Sequence, residues 1–155
     1  MLELPRPLNG LSEKPSSAFL DSNVFIYGRL EQCNSRLVIL LGQLREFEAF
    51  TSELVVEEVQ RFFRAEISRE AGYLARRFVE SFAQVVRRDE IRREAKQLRG
   101  EITDRDLENL AVVRHLRLRR LVAYDDDYRK ARVKEYTTPR VFVKLFELDA
   151  YKTEY

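Results

Sequence analysis

Two short apolar runs, each ending in an aspartate, constrain the fold of this chain more than any other feature. Residues 18–20 read Ala-Phe-Leu and lead into Asp21, and residues 121–124 read Leu-Val-Ala-Tyr and lead into Asp125. Continuous apolar runs of this length between polar segments are typical of buried strands. Open α/β sheets bind their ligands outside the carboxyl ends of the strands. We therefore expect both carboxylates to face one crevice.

The polar residues around these aspartates also allow a simpler interpretation. Asp21, Ser22 and Asn23 are all residue types favoured in turns and at the N-termini of helices. The triplet could therefore only turn or cap the chain, and the residues alone leave that alternative open. Asp127, the last of three consecutive aspartates, is expected to cap the turn into residues 128–132 rather than to bind a ligand.

The remaining segments alternate between helix and strand patterns. Apolar residues recur at helical spacing in residues 36–47 and precede a short strand at 47–51, so that a βαβ unit is predicted. Further helices are expected from Ser52 to about residue 63, at 68–85, at 87–99 with Gly100 ending it, and from about 103 to 113. An edge strand near 133–136 precedes a final helix that Thr138 and Pro139 begin.

This pattern predicts an α/β fold with a central parallel sheet flanked by helices in a single domain. We place the domain at residues 18–148, after a loose N-terminal arm at 1–17 that holds three of the four prolines. Residues 149–155 are expected to form a C-terminal tail. A chain of 155 residues is long enough to bury about two thirds of its unfolded surface.

Composition limits the chemistry available to the crevice. The chain has one cysteine, Cys33, and one histidine, His115, so it can form neither an internal disulfide nor a histidine metal site, and a Ser-His-Asp triad is poorly supported. No role is assigned to either residue, and any metal would need oxygen ligands. The longest apolar run, residues 37–41, is too short to cross a bilayer. We expect a soluble, cytoplasmic protein.

Four acidic positions should converge where the strands end. Like charges in a cleft repel one another unless a cation is present, and Mg²⁺ and Mn²⁺ prefer oxygen ligands. A pair of such ions can activate water against a phosphodiester, so a metal-dependent nuclease is our hypothesis. The positions are Asp21 and Asp125 after the strands, and one of Glu57 or Glu58 and one of Asp104 or Asp106 near the starts of helices.

Helix geometry separates the two adjacent glutamates. At about 100° per residue, the apolar residues between positions 54 and 63 define one buried face. Glu57 falls almost opposite that face, in solvent. Glu58 falls on its border, where a side chain can lean over the sheet edge toward Asp21. We therefore expect Glu58 to be the ligand.

Five segments, taken in order, form a pattern from about residue 18 to residue 148. The first acid lies in Phe19-Leu20-Asp21-Ser22-Asn23-Val24-Phe25-Ile26, and the second, Glu58, follows Thr51-Ser52 after five residues. The third begins Asp106-(two residues)-Asn109-Leu110-Ala111, the fourth lies in Leu121-Val122-Ala123-Tyr124-Asp125-Asp126-Asp127, and Thr138-Pro139-(two residues)-Phe142 follows. In this order and at these spacings the segments resemble a PIN domain. The chain departs from many PIN domains at Arg117-Leu118-Arg119-Arg120 and at Tyr124, where small residues are usual.

The resemblance implies that Asp21, Glu58, Asp106 and Asp125 are the catalytic and metal-binding acids, supported by Ser22 and Asn23. It also implies Mg²⁺ or Mn²⁺ as cofactor and hydrolysis of single-stranded RNA that leaves a 5′-phosphate. Many relatives are VapC-like toxins, so an antitoxin protein and a second copy of the chain are expected partners, with no membrane.

Two alternative functions stay open. The first is a non-catalytic RNA-binding or scaffolding domain of the same fold, against which the presence of all four acids argues. The second is a receiver-like phosphoacceptor domain, which would also gather acids at strand ends. It would require paired acids at the first strand and a lysine after the last, and the sequence offers no clear match to either.

The basic residues fall into two groups. Those close to the acids along the chain are candidates for phosphate contacts: Arg29, Arg61, Arg64, Arg129 and Lys130. The others should lie at the opposite edge of the sheet, where they complement a helix C-terminus or face a partner: Arg114, Arg117, Arg119 and Arg120. The net charge is only +2, from 28 basic and 26 acidic residues. The charges therefore affect binding only where basic and acidic residues are segregated on the surface.

Overall fold

A parallel sheet of five strands forms the centre of the computed structural model, which describes residues 14–152. The strands lie in the order β3-β2-β1-β4-β5, and every neighbouring pair is parallel. Most of the predicted N-terminal arm lies outside the described residues. The strands are β1 Ser17–Leu20, β2 Glu48–Ser52, β3 Ala83–Val86, β4 Leu121–Val122 and β5 Tyr136–Thr137.

Helices connect these strands, as parallel pairing requires. Three of them begin at a hydroxyl cap, because the side chains of Ser52, Ser68 and Thr138 accept from backbone N–H groups of the first turn. In residues 14–152 no helix is both long enough and apolar enough for a membrane span. The helices are α1 Ser22–Leu30, α2 Asn34–Gln43, α3 Glu53–Glu66, α4 Arg69–Phe82, α5 Arg92–Leu98, α6 Asp104–His115, α7 Asp127–Lys130 and α8 Pro139–Lys144.

The central strands are buried on both faces. Phe19 and Leu20 of β1 and Leu121 and Val122 of β4 are fully enclosed, and α6 lies against β1 and β2. Burial on both faces explains why these strands read as continuous apolar runs rather than alternating patterns. The sequence prediction of a parallel sheet flanked by helices is confirmed.

Several elements differ from the prediction. Residues 83–86 form β3, whereas the sequence predicted one helix through residue 85. Phe78, Phe82 and Val85 keep a helical spacing, and neither Gly nor Pro marks the end of α4. The change occurs because residues 83–86 pair with β2, from Ala49 opposite Ala83 onward, a long-range interaction that overrides the local pattern.

The bounds of several other helices and strands also differ from the prediction. The prediction had no helix at 22–30, where α1 lies. The helix expected at 87–99 is divided into a short 3-10 helix, Arg88–Glu90, and α5, with Ile91 outside helical geometry between them. The edge strand β5 begins at Tyr136 instead of near residue 133. The proposed domain boundaries stay a prediction.

Candidate metal centre

The sheet order creates a crevice between the ends of β1 and β4. From β1 the chain proceeds to β2 and β3 on one side, then returns to β4 on the other side of β1. The two strands pair in parallel, with Leu20 opposite Val122, and the Asp21 N–H donates to the Val122 carbonyl at 3.0 Å. Such a switch point is where open α/β sheets bind their ligands. Asp21 and Asp125 therefore follow the two strands that border the crevice.

Asp21 is 7% exposed and combines two roles that the sequence presented as alternatives. Its Oδ1 accepts from the Ser22 N–H at 2.7 Å, so Asp21 caps α1, and it also accepts from Asn109 Nδ2 at 3.2 Å. Burial, together with the negative charges of Glu58, Asp106 and Asp125, raises the pKa of Asp21 to about 7, although the Ser22 hydrogen bond acts to lower the pKa. The carboxylate is thus held firmly at the crevice with its charge uncompensated.

Asp106, Asp125 and Asp127 form a compact group of carboxylates. Each offers an oxygen, and these oxygens all lie within 4.8 Å of one another. Burial and the charge of Asp125 raise the pKa of Asp106, while a hydrogen bond from Thr103 Oγ1 at 3.0 Å opposes the rise. Asp106 is 2% exposed, whereas Asp104, the alternative at the start of α6, is exposed.

The expected capping role of Asp127 is wrong. Its backbone N–H donates to Asp125 Oδ1 at 2.9 Å, so the carboxylate that holds this turn belongs to Asp125. The side chain of Asp127 instead joins the group of acids. Its position two residues after Asp125, at the first residue of α7, brings both carboxylates to the same side of the turn.

Glu58 of α3 interacts electrostatically with the group, and Glu57 does not face it. Burial raises the pKa of Glu58, and the charge of Asp106 adds to this, while Arg105 and Arg61 lower the pKa. Glu57 was expected to lie in solvent, and its side chain is 41% exposed. Its carboxylate accepts two hydrogen bonds from Arg88, at 2.7 and 2.8 Å. The helix therefore directs the two glutamates to different neighbours.

A buried hydrogen-bond network joins the elements that carry the acids. Asn109 of α6 donates through Nδ2 to Asp21 and to the Tyr128 hydroxyl at 3.1 Å, and its Oδ1 accepts from Ser52 Oγ at 2.6 Å. The sequence assigned no role to Asn109 or Tyr128. Asn109 could have been found, because it lies three residues after Asp106 and hence on the same helix face. No local signal pointed to Tyr128.

The donor set of this site fits a divalent cation. Among the residues that the structure describes, none of Asp21, Glu58, Asp106, Asp125 and Asp127 forms an ion pair with Lys or Arg. Buried charges in proteins are normally paired or coordinated to a metal. All the candidate ligand atoms are carboxylate oxygens, which Mg²⁺ and Mn²⁺ prefer.

The basic residues that were predicted to contact phosphate do not form a single patch; each has different neighbours. The positive charge of Arg61 lowers the pKa of Glu58. Arg129 and Lys130 pair with Asp126 at 2.7 and 3.8 Å. The Arg29 guanidinium lies 5.4 Å from the ring centroid of Phe78, and Arg64 is exposed on α3.

Two further observations concern residues near the site. Arg105, which sequence analysis passed over, lowers the pKa of both Glu58 and Asp106 and is exposed in the first turn of α6. Asn23 makes no hydrogen bond to Asp21 among the described contacts and lines a neighbouring cavity.

The second basic group lies where it was expected. Arg117, Arg119 and Arg120 surround Ser17 at the start of β1, and thus occupy the edge opposite the acids. Arg114 pairs with Glu135 at 2.8 Å.

The fold is shared with solved structures of toxin–antitoxin proteins, although no protein-family model and no curated protein matches the sequence. VapBC2 of Rickettsia felis, solved with a fragment of promoter DNA, has a TM-score of 0.62 at 14% identity, covering 79% of this chain and 98% of that chain. A toxin–antitoxin complex of Klebsiella pneumoniae gives 0.60 at 19% identity, covering 79% and 97%. VapC20 of Mycobacterium tuberculosis, a sarcin-ricin-loop-cleaving toxin, gives 0.56 at 19% identity, covering 74% and 94%.

These similarities confirm the VapC-like PIN fold that the sequence resemblance implied. At sequence identities this low, the similarities show a shared fold and do not show a shared activity. The strand order also argues against the receiver-like alternative, because receiver-type sheets have the order 2-1-3-4-5, whereas here β3 lies at an edge beside β2.

Proposed function

We propose that this protein is a divalent-metal-dependent ribonuclease that hydrolyses single-stranded RNA and acts as the toxin of a toxin–antitoxin pair. The observation that carries the proposal is the group of acids at the β1/β4 crevice, which has no Lys or Arg ion-pair partner among the described residues. The similarity to VapC20, a toxin that cleaves the sarcin-ricin loop, supports a nuclease of this kind. The Klebsiella complex supports an antitoxin as partner.

Asp21, Glu58, Asp106 and Asp125 would hold Mg²⁺ or Mn²⁺, and Asp127 is added to the set expected from the sequence. A bound divalent cation would neutralise the carboxylates, lower the pKa of water and stabilise the charge on the leaving oxygen. Hydrolysis would then add water across the bond between phosphorus and the 3′ oxygen, leaving a 5′-phosphate and a 3′-hydroxyl.

Other side chains orient this site. The Ser22 N–H and Asn109 hold the Asp21 carboxylate from two directions, and the Thr103 hydroxyl holds that of Asp106. Positioning of this kind reduces the reorganisation needed during reaction. Arg61 and Arg105 flank Glu58 and are our candidates for contacts to RNA phosphates.

Cleavage of a labelled single-stranded RNA with Mn²⁺, with Mg²⁺ and with EDTA tests the proposal. We expect cleavage only with a divalent ion and none from Asp125→Asn, which keeps an oxygen for the Asp127 N–H. Asp104→Asn, an exposed acid near the site, is the matched control and should cleave as the wild type does. Mn²⁺ should also raise the melting temperature of the wild type more than that of Asp125→Asn.

Two results would contradict the proposal. Wild-type cleavage by Asp125→Asn would remove this site from the chemistry. Binding of single-stranded RNA without cleavage in either metal would favour the non-catalytic alternative. The toxin assignment has its own test, because expression of the wild type should arrest growth and expression of Asp125→Asn should not.

A further inference from the structure

A cavity of about 770 Å³ adjoins the candidate metal centre. Its wall includes Asn23, two residues after Asp21, together with Tyr124 and Asp126, the two chain neighbours of Asp125. The volume lies within the range of about 300–1,000 Å³ that is usual for small organic ligands. Whatever occupies this cavity would therefore lie beside a group bound at the acids.

Four tyrosines line the cavity: Tyr27, Tyr124, Tyr136 and Tyr151. Tyr27 packs edge-on against Tyr124, with ring centroids 5.3 Å apart, and the Tyr124 hydroxyl hydrogen-bonds Ser35 Oγ at 2.5 Å. Tyr136 stacks on the buried ring of Tyr128 at 5.9 Å. These contacts fix the rings in place before any ligand binds, which reduces the ordering cost of binding.

Tyr151 is brought to the cavity by two long-range hydrogen bonds. The buried side chain of Asn34 accepts from the Tyr151 N–H at 2.8 Å and donates to the Tyr151 carbonyl at 3.1 Å. Tyr151, which lies in the expected C-terminal tail, is thus attached to the start of α2. Tyr151 itself remains 41% exposed, so the fold holds an aromatic ring at this wall without burying it.

We propose that this cavity binds an unpaired base of the RNA substrate, next to the phosphodiester bond that is cleaved. The inference rests on the proposed ribonuclease function and extends it to the selection of a nucleotide. Single-stranded RNA is recognised chiefly by stacking of its bases on aromatic side chains and by hydrogen bonds to the base edges. The tyrosines provide rings for stacking. Polar groups for hydrogen bonds to the base edge come from three side chains in the same wall, Asn23, Gln32 and Thr138.

The lining favours a base over an apolar side chain of a protein partner. Among the described residues, no Leu, Ile, Val, Met or Phe lines the cavity, although helix-binding grooves depend on such anchors. The aromatic residues of the lining are all tyrosines, whose flat rings suit the flat surface of a base. Arg129, whose side chain is 72% exposed, lies in the same wall and can approach a neighbouring phosphate.

Truncation of Tyr151 tests the inference, because it removes a ring and keeps both backbone bonds to Asn34. We expect Tyr151→Ala to raise KM for single-stranded RNA roughly tenfold, the size of one lost base stack, with kcat almost unchanged. Tyr151→Phe should behave as the wild type, since the stacking face remains. Tyr73→Ala is the matched control, because Tyr73 is 57% exposed on α4 and lies outside the cavity lining.

Substrates with a single abasic position, moved stepwise along the RNA, identify the bound base. One position near the cleaved bond should weaken wild-type binding and have little additional effect on Tyr151→Ala, because both changes remove the same contact. Dissociation constants measured by anisotropy in an Asp106→Asn background provide the same comparison without cleavage. If the wild type fails to cleave, this titration still tests the cavity separately from the proposed function.

Unchanged KM and dissociation constant in both Tyr151→Ala and Tyr27→Ala would overturn the inference. The inference would also be overturned if the abasic position weakened RNA binding by the same factor in the wild type and in Tyr151→Ala. In either case a side chain of a protein partner would be the better candidate occupant.

Discussion

Replacement of Asp21 by Asn should stabilise the metal-free protein at the cost of its activity. Burial and neighbouring negative charges raise the pKa of Asp21 from 3.8 to about 7. The folded chain therefore holds this proton more tightly than the unfolded chain does. By linkage, the protonated carboxyl favours the folded state, and stability is lost as the pH rises from about 4 through about 7. Above that range the ionised carboxylate is a net cost to folding.

The size of this cost follows from the shift. A displacement of about three pKa units, at about 1.4 kcal/mol each, corresponds to about 4 kcal/mol at pH 8, a large part of the 5–15 kcal/mol that stabilises most domains. Asn at position 21 has no charge to desolvate, and its Oδ1 can still accept from the Ser22 N–H and from Asn109. In EDTA at pH 8, Asp21→Asn should exceed the wild type by up to about 4 kcal/mol in the free energy of unfolding.

Urea unfolding in EDTA at pH 8, 7, 6 and 5 measures the difference. The advantage of Asp21→Asn should shrink steadily toward pH 5, because the wild-type carboxyl becomes protonated over this range. Asp104→Asn removes an exposed acid and should follow the wild type at every pH. An advantage that stays constant with pH, or an Asp21→Asn protein less stable than the wild type at pH 8, would refute the reasoning.

Two further predictions concern residues beside the acids. Glu58→Gln should abolish metal-dependent cleavage, whereas Glu57→Gln should stay near wild type because it only weakens the exposed contact with Arg88. Circular dichroism should show both variants folded. The reverse pattern of cleavage would show that α3 presents the other glutamate to the metal centre. Neutralising Arg61 or Arg105 should weaken binding of single-stranded RNA and lower the slope of its salt dependence by about 0.7 to 1 for each lost contact. Arg119→Gln, at the opposite edge, should leave that slope unchanged in a titration from 50 to 200 mM salt, and a larger effect there would place the RNA path elsewhere.

The parts of the fold that sequence analysis predicted are those whose cause is local. The strands before Asp21 and Asp125 are buried on both faces, so burial appears directly as an uninterrupted apolar run. Parallel strands then require a common carboxyl edge, which makes the meeting of the two acids a consequence of topology. The third strand, Ala83–Val86, was missed because its residues continue the apolar spacing of α4 and become a strand only by pairing with β2.

The unpredicted parts of the site depend on contacts between distant residues. Asn109 contacts Asp21 across 88 positions, and Asn34 contacts Tyr151 across 117. Neither pair leaves a periodic signal, because each amide bonds to a partner that the chain reaches only after folding. The raised pKa of Asp21 has the same origin, since it results from enclosure by elements that converge from four parts of the chain. A sequence can thus reveal that acids meet at the carboxyl edge of the sheet, although it missed Asp127. The energetic cost of bringing the acids together, and hence the stabilisation expected from a cation, requires the packed structure.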